Sequence, residues 1–308
     1  MSASLTRIVP LSRVCALTGV ARSSVYAGRE AKVVPITRAR RGPKTAYTDE
    51  RLLAAIREVL SSTPFVGEGY RKVWAKLRVR GIRTSKPRVL RLMREANLLA
   101  PTRTGGPRGP QTHDGTIIPD APDRMWGTDL TSTVTTQDGQ VGVFIAVDHA
   151  TAELVGTHAA KRATRHEALE PVKQGVRRCF GKIAAGVAKG LQLRHDNGTQ
   201  YLSDTFQAEI AFLGIESSPS FVRAPEGNGC AERIIRTLKE QLLWVRTFAT
   251  VEELRLALAE WAELYNREWM IERHGHRSPG WRATRASACT SRRPRRRGST
   301  RSSASSPR

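Results

Sequence analysis

The sequence predicts an α/β protein in which an all-helical N-terminal region precedes a core built on a mixed five-stranded sheet. Three observations lead to this prediction. Apolar residues recur at helical spacing as far as residue 99 and at strand spacing from residue 125 onward. A Gly- and Pro-rich linker, residues 102–122, separates the two patterns. Beyond the third strand-like run, helical and strand-like runs alternate along the chain.

The first helical unit is predicted to be a helix-turn-helix. In LSRVCALTGVARSSVY, residues 11–26, apolar residues at helical spacing lie on both sides of Gly19. Any short helical hairpin would share this pattern. The first 29 residues also lack acidic side chains and superficially resemble a transit peptide, which is the less favoured interpretation. We assign residues 1–28 to the helix-turn-helix segment and residues 29–46 to a basic linker.

A second helical unit, residues 47–101, contains three predicted helices. Thr48 is expected to cap the first of them and Ser85 the third. The core candidates of the third helix are Val89, Leu90, Leu92, Met93 and Leu98. Its cations, which are expected to face away from this core, are Lys86, Arg88, Arg91 and Arg94. So one-sided a charge favours a DNA-binding module over an ordinary solvated basic face.

The remaining elements follow the order of the ribonuclease-H-like fold. Three β-rich runs, separated by QDG and AT, predict an antiparallel meander. A helix over Arg165–Phe180 leads to a fourth strand, GLQLRHD, and Ser203 is expected to cap the next helix. A short strand, IESSPS, and a long helix in EGNGCAERIIRTLKEQLLWV complete the order. We therefore assign 123–247 to a catalytic core, 248–288 to a C-terminal helical segment and 289–308 to a disordered basic tail.

The charge of the chain indicates a polyanionic partner. The net charge is +23, with 51 Lys and Arg against 28 Asp and Glu, and about +16 remains without the Arg-rich residues 289–308. No segment approaches a membrane-spanning length, so nucleic acid is a better candidate than a membrane. The four cysteines form no CxxC pair, which argues against a zinc knuckle or a disulfide framework and fits a reducing cytoplasm.

Three carboxylates are placed where a metal site needs them. Asp129 lies within a β-rich run, Asp196 closes the fourth strand in RHDNGTQY, and Glu232 lies in the first turns of the last core helix. Acids on rigid elements that converge on one side of a sheet can bind two divalent ions for displacement at a phosphodiester. Oxygen ligands favour Mg²⁺ or Mn²⁺ over zinc. The Asn-Gly turn after Asp196 would let the strand stop with this carboxylate at its tip.

Two cations share the helical face of Glu232. Arg236 follows it at i+4 and Lys239 at i+7. Beside a carboxylate cluster these cations are predicted to hold DNA phosphates. An ordinary Glu–Arg pair that supports the helix is an equally good interpretation of the spacing alone.

These motifs together resemble the DDE transposases of bacterial insertion sequences, and most closely the second-frame (OrfB) product of the insertion-sequence-three family, relatives of retroviral integrases. The motifs that carry the resemblance, over about residues 10–285, are WGTDLT, RHDNGTQY, APEGNGCAERIIRTLKEQLLW, LAEWAELYNREWMIERHGHRSP and GYRKVWAKLRVRGIRTSKPRVLRLMREANL. The 35 residues between Asp196 and Glu232 are also typical of the family. The final stretch, SACTSRRPRRRGSTRSSASSPR, departs from the family pattern.

The resemblance implies an integrase-type core in which Asp129, Asp196 and Glu232 are the catalytic and metal-binding residues and Lys239 contacts DNA. It implies cleavage of element ends and transfer of the 3′-hydroxyl into target DNA, with two Mg²⁺ or Mn²⁺ ions. The expected partners are terminal inverted repeats, target DNA, further copies of the chain in a synaptic complex and an upstream-frame helix-turn-helix product. The expected location is the cytoplasm, associated with the bacterial nucleoid.

Alternatives remain at this level. Asp148, at a strand end, could be taken for a metal ligand, although a role in a turn is favoured; Asp123, Asp138 and Asp204 are interpreted as structural. A catalytically inactive DNA-binding regulator or decayed transposase, and a ribonuclease-H-like nuclease without strand transfer, are the alternative functions.

Overall fold

The computed structural model describes residues 10–29, 46–101, 117–220 and 228–281. The chain forms two compact units, Met1–Ala46 and Tyr47–Arg308. Most of the two predicted linkers and all of the predicted basic tail lie outside the described residues. So does residue 226, with which the last core helix was predicted to begin.

The first unit contains two short helices, as the sequence predicts. Helix α1 spans Leu11–Thr18 and helix α2 spans Arg22–Arg29. Gly19 ends α1 with a φ of +69°, a left-handed conformation that glycine adopts without steric cost. The helix, glycine turn and helix expected for residues 11–26 are therefore confirmed.

Three helices form a separate module at the start of the second unit. They are α3 (Asp49–Ser62), α4 (Tyr70–Val79) and α5 (Lys86–Glu95). Thr48 caps α3 as predicted, because its Oγ1 accepts a hydrogen bond from the Arg51 amide at 3.3 Å. Ser85 occupies the predicted cap position of α5, although its side chain forms no capping hydrogen bond. Val89, Leu92 and Met93 are buried in the module's core, whereas Leu90 is half-buried.

The core contains a mixed five-stranded sheet with the order β3-β2-β1-β4-β5. The strands are β1 (Met125–Thr135), β2 (Gly139–Asp148), β3 (Leu154–Ala160), β4 (Gln192–His195) and β5 (Glu216–Pro219). β1, β2 and β3 pair antiparallel, while β4 pairs in parallel with both β1 and β5. The predicted meander and the two later strands are confirmed.

Helices cover both faces of this sheet. They are α6 (Arg165–Phe180), α7 (Thr199–Leu202), α8 (Asp204–Phe212), α9 (Gly229–Leu238) and α10 (Val251–Glu268). A π-helical segment, Lys239–Leu243, follows α9, so the single long helix predicted here is replaced by two segments. Alternate residues of β2 enter two cores: Phe144 packs with α6 and α8, and Ile145 packs with α9 and α10. None of the described helices combines the length and apolar character that crossing a bilayer requires.

Gly156 allows α6 to lie directly on β3. A Cβ built on Gly156 would lie 2.0 Å from the carbonyl oxygen of Pro171, a backbone atom in the interior of α6. Because backbone cannot move aside as a flexible side chain can, any other residue at this position must push the helix away from the sheet.

We therefore expect Gly156→Ala to lower the free energy of unfolding by about 1–3 kcal/mol. Gly69→Ala is the matched control, because no atom lies within 4 Å of a Cβ built there. Urea denaturation of both variants checks this expectation. Equal stability of the two variants would contradict the close contact between β3 and α6.

Candidate active site

The register of β1 against β4 places Asp129 level with Asp196. Met125 pairs with Gln192 and Gly127 pairs with Arg194. Two further residues along the same register bring Asp129 opposite Asp196, the residue that follows the end of β4. Neighbouring side chains at the same level of a parallel pair point to the same face of the sheet. The first two predicted catalytic acids are therefore adjacent.

The face on which they lie is the one that α9 covers. Asp129 pairs with Ile145 of β2, and cross-strand partners share a face. Ile145 belongs to the core cluster that includes Ile234 and Ile235 of α9. Glu232 lies in the first turn of this helix and is exposed. The structure therefore brings all three predicted acids to one side of the sheet.

Neighbouring charges and burial both affect the pKa of Asp129. Burial, together with the negative charges of Asp196 and Glu232, raises the pKa of its carboxyl group to about 6. The amide of Leu130, which donates to Asp129 Oδ1 at 2.8 Å, and the charge of Lys239 act in the opposite direction. The three carboxylates are thus close enough for their charges to interact, and a cation between them would relieve their repulsion.

The turn after β4 holds the Asp196 carboxylate at the end of the strand. Asp196 Oδ1 accepts a hydrogen bond from the Gly198 amide at 2.9 Å. A Cβ built on Gly198 would lie 2.9 Å from the same oxygen and 2.5 Å from Gln200 Nε2, so a larger residue there would displace these side chains. Asp196 itself is exposed. This is the arrangement predicted from DNG.

His195 points to the opposite face and has a structural role. Its ring is fully buried, stacks on Tyr201 with centroids 5.6 Å apart, and lies 2.9 Å from Ser217 Oγ. Burial lowers the pKa of this histidine, which keeps the ring neutral. The His195 ring is therefore directed away from the face that carries the predicted catalytic acids.

Asn228 ties the start of α9 to the strand that carries Asp129. Its Nδ2 donates to the carbonyl oxygen of Thr128 at 3.0 Å. Gly127 leaves room for this contact, because a Cβ there would lie 2.6 Å from Asn228 Oδ1. This contact was not predicted from the sequence. A glycine two residues before the predicted catalytic Asp was the signal for a close backbone approach.

The predicted DNA-binding cations differ in their surroundings. Arg236 is exposed and Lys239 is half-buried, and both lie on the face of α9 and its extension that carries Glu232. In α5, Arg88 and Arg91 both form ion pairs with Asp49, and Arg91 also pairs with Glu95.

Lys86 lies over the Trp74 ring, 4.7 Å from its centroid, and Arg94 is exposed. Two of the four α5 cations therefore already bind acids of their own module. Contact of any of them with DNA stays a prediction.

The competing acids have structural partners. Asp148 is 2 % exposed, and its oxygens accept hydrogen bonds from Thr151 and from the Asp123 amide. Asp138 accepts a hydrogen bond from the Val251 amide and pairs with Lys161. Their interpretation as turn residues is confirmed. Among the described residues, no three His, Cys, Asp or Glu side chains converge at the spacing of a preformed metal site.

Comparison with known protein families identifies the class of this protein. An HTH-like domain family matches residues 48–105, and integrase core domain families match residues 119–225 and 213–282. The chain is thus an enzyme with an integrase core, a DDE polynucleotidyl transferase preceded by an HTH-like domain.

The curated relatives are transposases. The transposase InsD of insertion element IS2A/D/F/H/I/K from Escherichia coli is 28% identical over 251 residues, which cover 79% of this chain and 80% of the relative. InsD of insertion element IS2-9, from strain K12, is also 28% identical over 251 residues and 79% of each chain. This chain is homologous to these transposases, which confirms its resemblance to the DDE transposases.

Solved structures that this chain resembles include retroviral integrases. A simian T-cell lymphotropic virus intasome in complex with PP2A regulatory subunit B56 gamma has 18% identity and a TM-score of 0.44, covering 76% of both chains. The HTLV-2 integrase catalytic core domain in complex with magnesium has 18% identity and a TM-score of 0.40, covering 54% of this chain and 98% of that one.

The raised pKa of Asp129 predicts how the stability of the metal-free protein depends on pH. The folded state holds this proton more tightly than the unfolded state, so its contribution falls as pH rises from about 4 to about 6. In EDTA at pH 7.5, we expect Asp129→Asn to be about 1–3 kcal/mol more stable than wild type, and this difference to shrink towards pH 4.

Asp138→Asn is the control with the opposite sign. The hydrogen bond from Lys161 lowers the pKa of Asp138, so its contribution is present above the unfolded pKa and is lost as pH falls. This variant should be less stable than wild type at pH 7.5. Thermal melts across this pH range test both expectations, and a pH-independent effect of Asp129→Asn would contradict the assignment.

Proposed function

We propose that this transposase cleaves the ends of an insertion sequence and joins the freed 3′-hydroxyl to target DNA, with Asp129, Asp196 and Glu232 as its catalytic residues. One observation carries the proposal: parallel pairing of β1 with β4 and the packing of α9 bring these three acids to the same side of the sheet. The DDE family to which the chain belongs supplies the reaction class.

The same three residues are proposed to bind divalent metal ions. The chemistry of the donor set fits, because carboxylate oxygens are the preferred ligands of Mg²⁺ and Mn²⁺. Burial and the charges of Asp196 and Glu232 raise the pKa of Asp129, so a bound cation would favour the ionised form of this carboxyl group. Asp196 and Glu232 are exposed, so their oxygens are accessible to ions and DNA. When bound, two ions would activate the attacking oxygen and stabilise the leaving oxygen.

The protein itself supplies rigidity and phosphate binding. Asp129 is held within a central strand, Asp196 by its turn, and Glu232 by a helix whose opposite face is buried. Arg236 and Lys239 would bind the phosphates that flank the reacting one. The reaction needs no covalent link between protein and DNA, so no Ser or Tyr nucleophile is assigned.

The helical modules are proposed to recognise the element. The helix-turn-helix segment, residues 1–28, and the module of residues 47–101 would bind the terminal inverted repeats, and residues 123–247 would catalyse. Lys86, Arg88, Arg91 and Arg94 are the proposed cations of the second module. Binding by Arg88 and Arg91 would require DNA phosphates to compete with Asp49.

Synapsis of two element ends implies at least two copies of the chain. A homo-oligomer on DNA, in the bacterial nucleoid, is therefore part of the proposal, and so is cooperation with an upstream-frame helix-turn-helix product. The alternatives are a DNA-binding regulator without catalysis and a nuclease that cleaves without joining. A strand-transfer assay on duplexes taken from the DNA that flanks the gene separates the three. Joined product supports transposition, cleavage alone supports the nuclease, and specific binding without either supports the regulator.

Neutral replacements of the three acids are expected to abolish joining. Asp129→Asn, Asp196→Asn and Glu232→Gln should each lower the rate of Mg²⁺-dependent strand transfer by about 1,000-fold, which corresponds to about 4 kcal/mol of transition-state stabilisation. Asp204→Asn, at the start of α8, is the matched control and should stay near wild type. Strand transfer that survives in any of the three variants would rule out that acid as a metal ligand.

Removal of the Arg236 charge should weaken binding to DNA duplexes of any sequence by a similar factor. Arg236→Ala is expected to reduce the slope of log Kd against log salt by about one. Arg267→Ala, on an exposed position of α10 where the arginine pairs with Glu268, is the control. Fluorescence anisotropy at several salt concentrations measures both. An unchanged slope in Arg236→Ala would place this residue outside the DNA path.

A further inference from the structure

We propose that Gln241 is a positioning residue, which couples the helical module of residues 47–101 to the helix that carries Glu232. This inference rests on the proposed function of the acidic site. Its basis is a pair of hydrogen bonds between Gln241 and the backbone of Val66, in the loop between α3 and α4.

The contact uses both groups of the glutamine amide. Gln241 Oε1 accepts from the Val66 amide at 2.8 Å, and Gln241 Nε2 donates to the Val66 carbonyl oxygen at 2.9 Å. A carboxamide presents its acceptor oxygen and donor nitrogen side by side in one plane, which suits it to pair with the N–H and C=O groups of one residue. The pair fixes the loop against Gln241 in both distance and orientation.

Gln241 lies on the same continuous helical element as Glu232. The π-helical segment that contains Gln241 continues directly from α9, and the Trp244 amide closes its wider turn on the Lys239 carbonyl oxygen at 2.9 Å. Nine residues, about 13 Å of helix, separate the two side chains. The wider turn rotates Gln241 towards the stripe of Arg233 and Thr237, about 100–140° around the helix from Glu232. The Glu232 carboxylate and the Gln241 amide therefore face different parts of the protein.

This helix is held at both ends. Asn228 fixes its start to β1 beside Asp129, and Gln241 fixes its far end to the module. Between these points its inner face, including Ile234 and Leu238, is buried against the sheet. A shift of the module at Gln241 is therefore transmitted along a rigid element to Glu232.

The surrounding junction is open rather than tightly packed. A cleft of about 760 Å³ separates the module from the core here, and its lining includes Glu68, Lys72, Arg233, Thr237, Glu240 and Met270. Other contacts hold the module in place: Phe65 meets Trp269 edge-on at 4.9 Å, and Arg71 pairs with Glu272 at 2.9 Å. Removal of the Gln241 contact should therefore leave the module attached but alter how accurately α9 is placed.

The test uses the full chain with Gln241→Leu, which removes both hydrogen bonds at similar volume, and Gln241→Glu, which keeps only the acceptor. Gln137→Leu, at an exposed glutamine of the β1–β2 turn, is the matched control. The substrates are duplexes from the DNA that flanks the gene, with a plasmid as target. We expect the joining rate at saturating DNA to fall by about 10- to 100-fold in both Gln241 variants, with Kd for the duplex and Tm as in the control.

Three outcomes would overturn the coupling. The first is a joining rate in both Gln241 variants equal to that of Gln137→Leu, and the second is weaker binding of the duplex that accounts for the whole fall in joining rate. The third is a lower Tm together with an equal fall in the rate of non-specific DNA cleavage. If the wild-type chain neither cleaves nor joins DNA, the proposed function fails instead, and the two failures are thereby distinguished. Hydrogen exchange gives an independent readout. The Val66 amide and the first turn of α9 should exchange faster in Gln241→Leu than in the control, while α5 is unchanged.

Discussion

The parallel pairing of β1 with β4 is the constraint on which the site depends. It joins two segments that are far apart in the chain and places residue 129 level with residue 196. A shift of one residue in this register would turn Asp196 to the opposite face, where His195 now packs among Tyr201 and Phe206. The aromatic packing of His195 on one face therefore supports the orientation of Asp196 on the other.

The acidic site lowers the stability of the sheet that contains it. Asp129 occupies a half-buried position in a central strand, and burial together with two nearby carboxylates opposes its ionisation. The strand tolerates this acid because a hydrophobic core packs on each face of the sheet, one beneath α6 and the other beneath α10, and holds the strand in place. Functional sites commonly carry such local destabilisation, since the charges that bind ions and substrate repel one another without them.

Sequence patterns predicted what is local. The order of strands and helices, the Thr48 cap and the DNG turn each depend on residues that are close in the chain, and each is confirmed. Contacts between distant residues were not predicted, because no local pattern identifies both partners. Asn228 and Thr128 are 100 residues apart, and Gln241 and Val66 are 175 apart. The π-helical segment was also missed, because LKEQLLW has ordinary helical spacing. The ion pairs of Arg88 and Arg91 with Asp49 likewise required the packed helices.

The central claim is that Asp129, Asp196 and Glu232 together hold divalent ions. Mn²⁺ binding to the full chain on its flanking-DNA duplex, followed by loss of the free-ion electron paramagnetic resonance signal, tests it most directly. We expect saturable Mn²⁺ binding by the wild-type complex that is lost when Asp129→Asn and Glu232→Gln are combined. The same Mn²⁺ affinity and stoichiometry in the doubly substituted complex would contradict it.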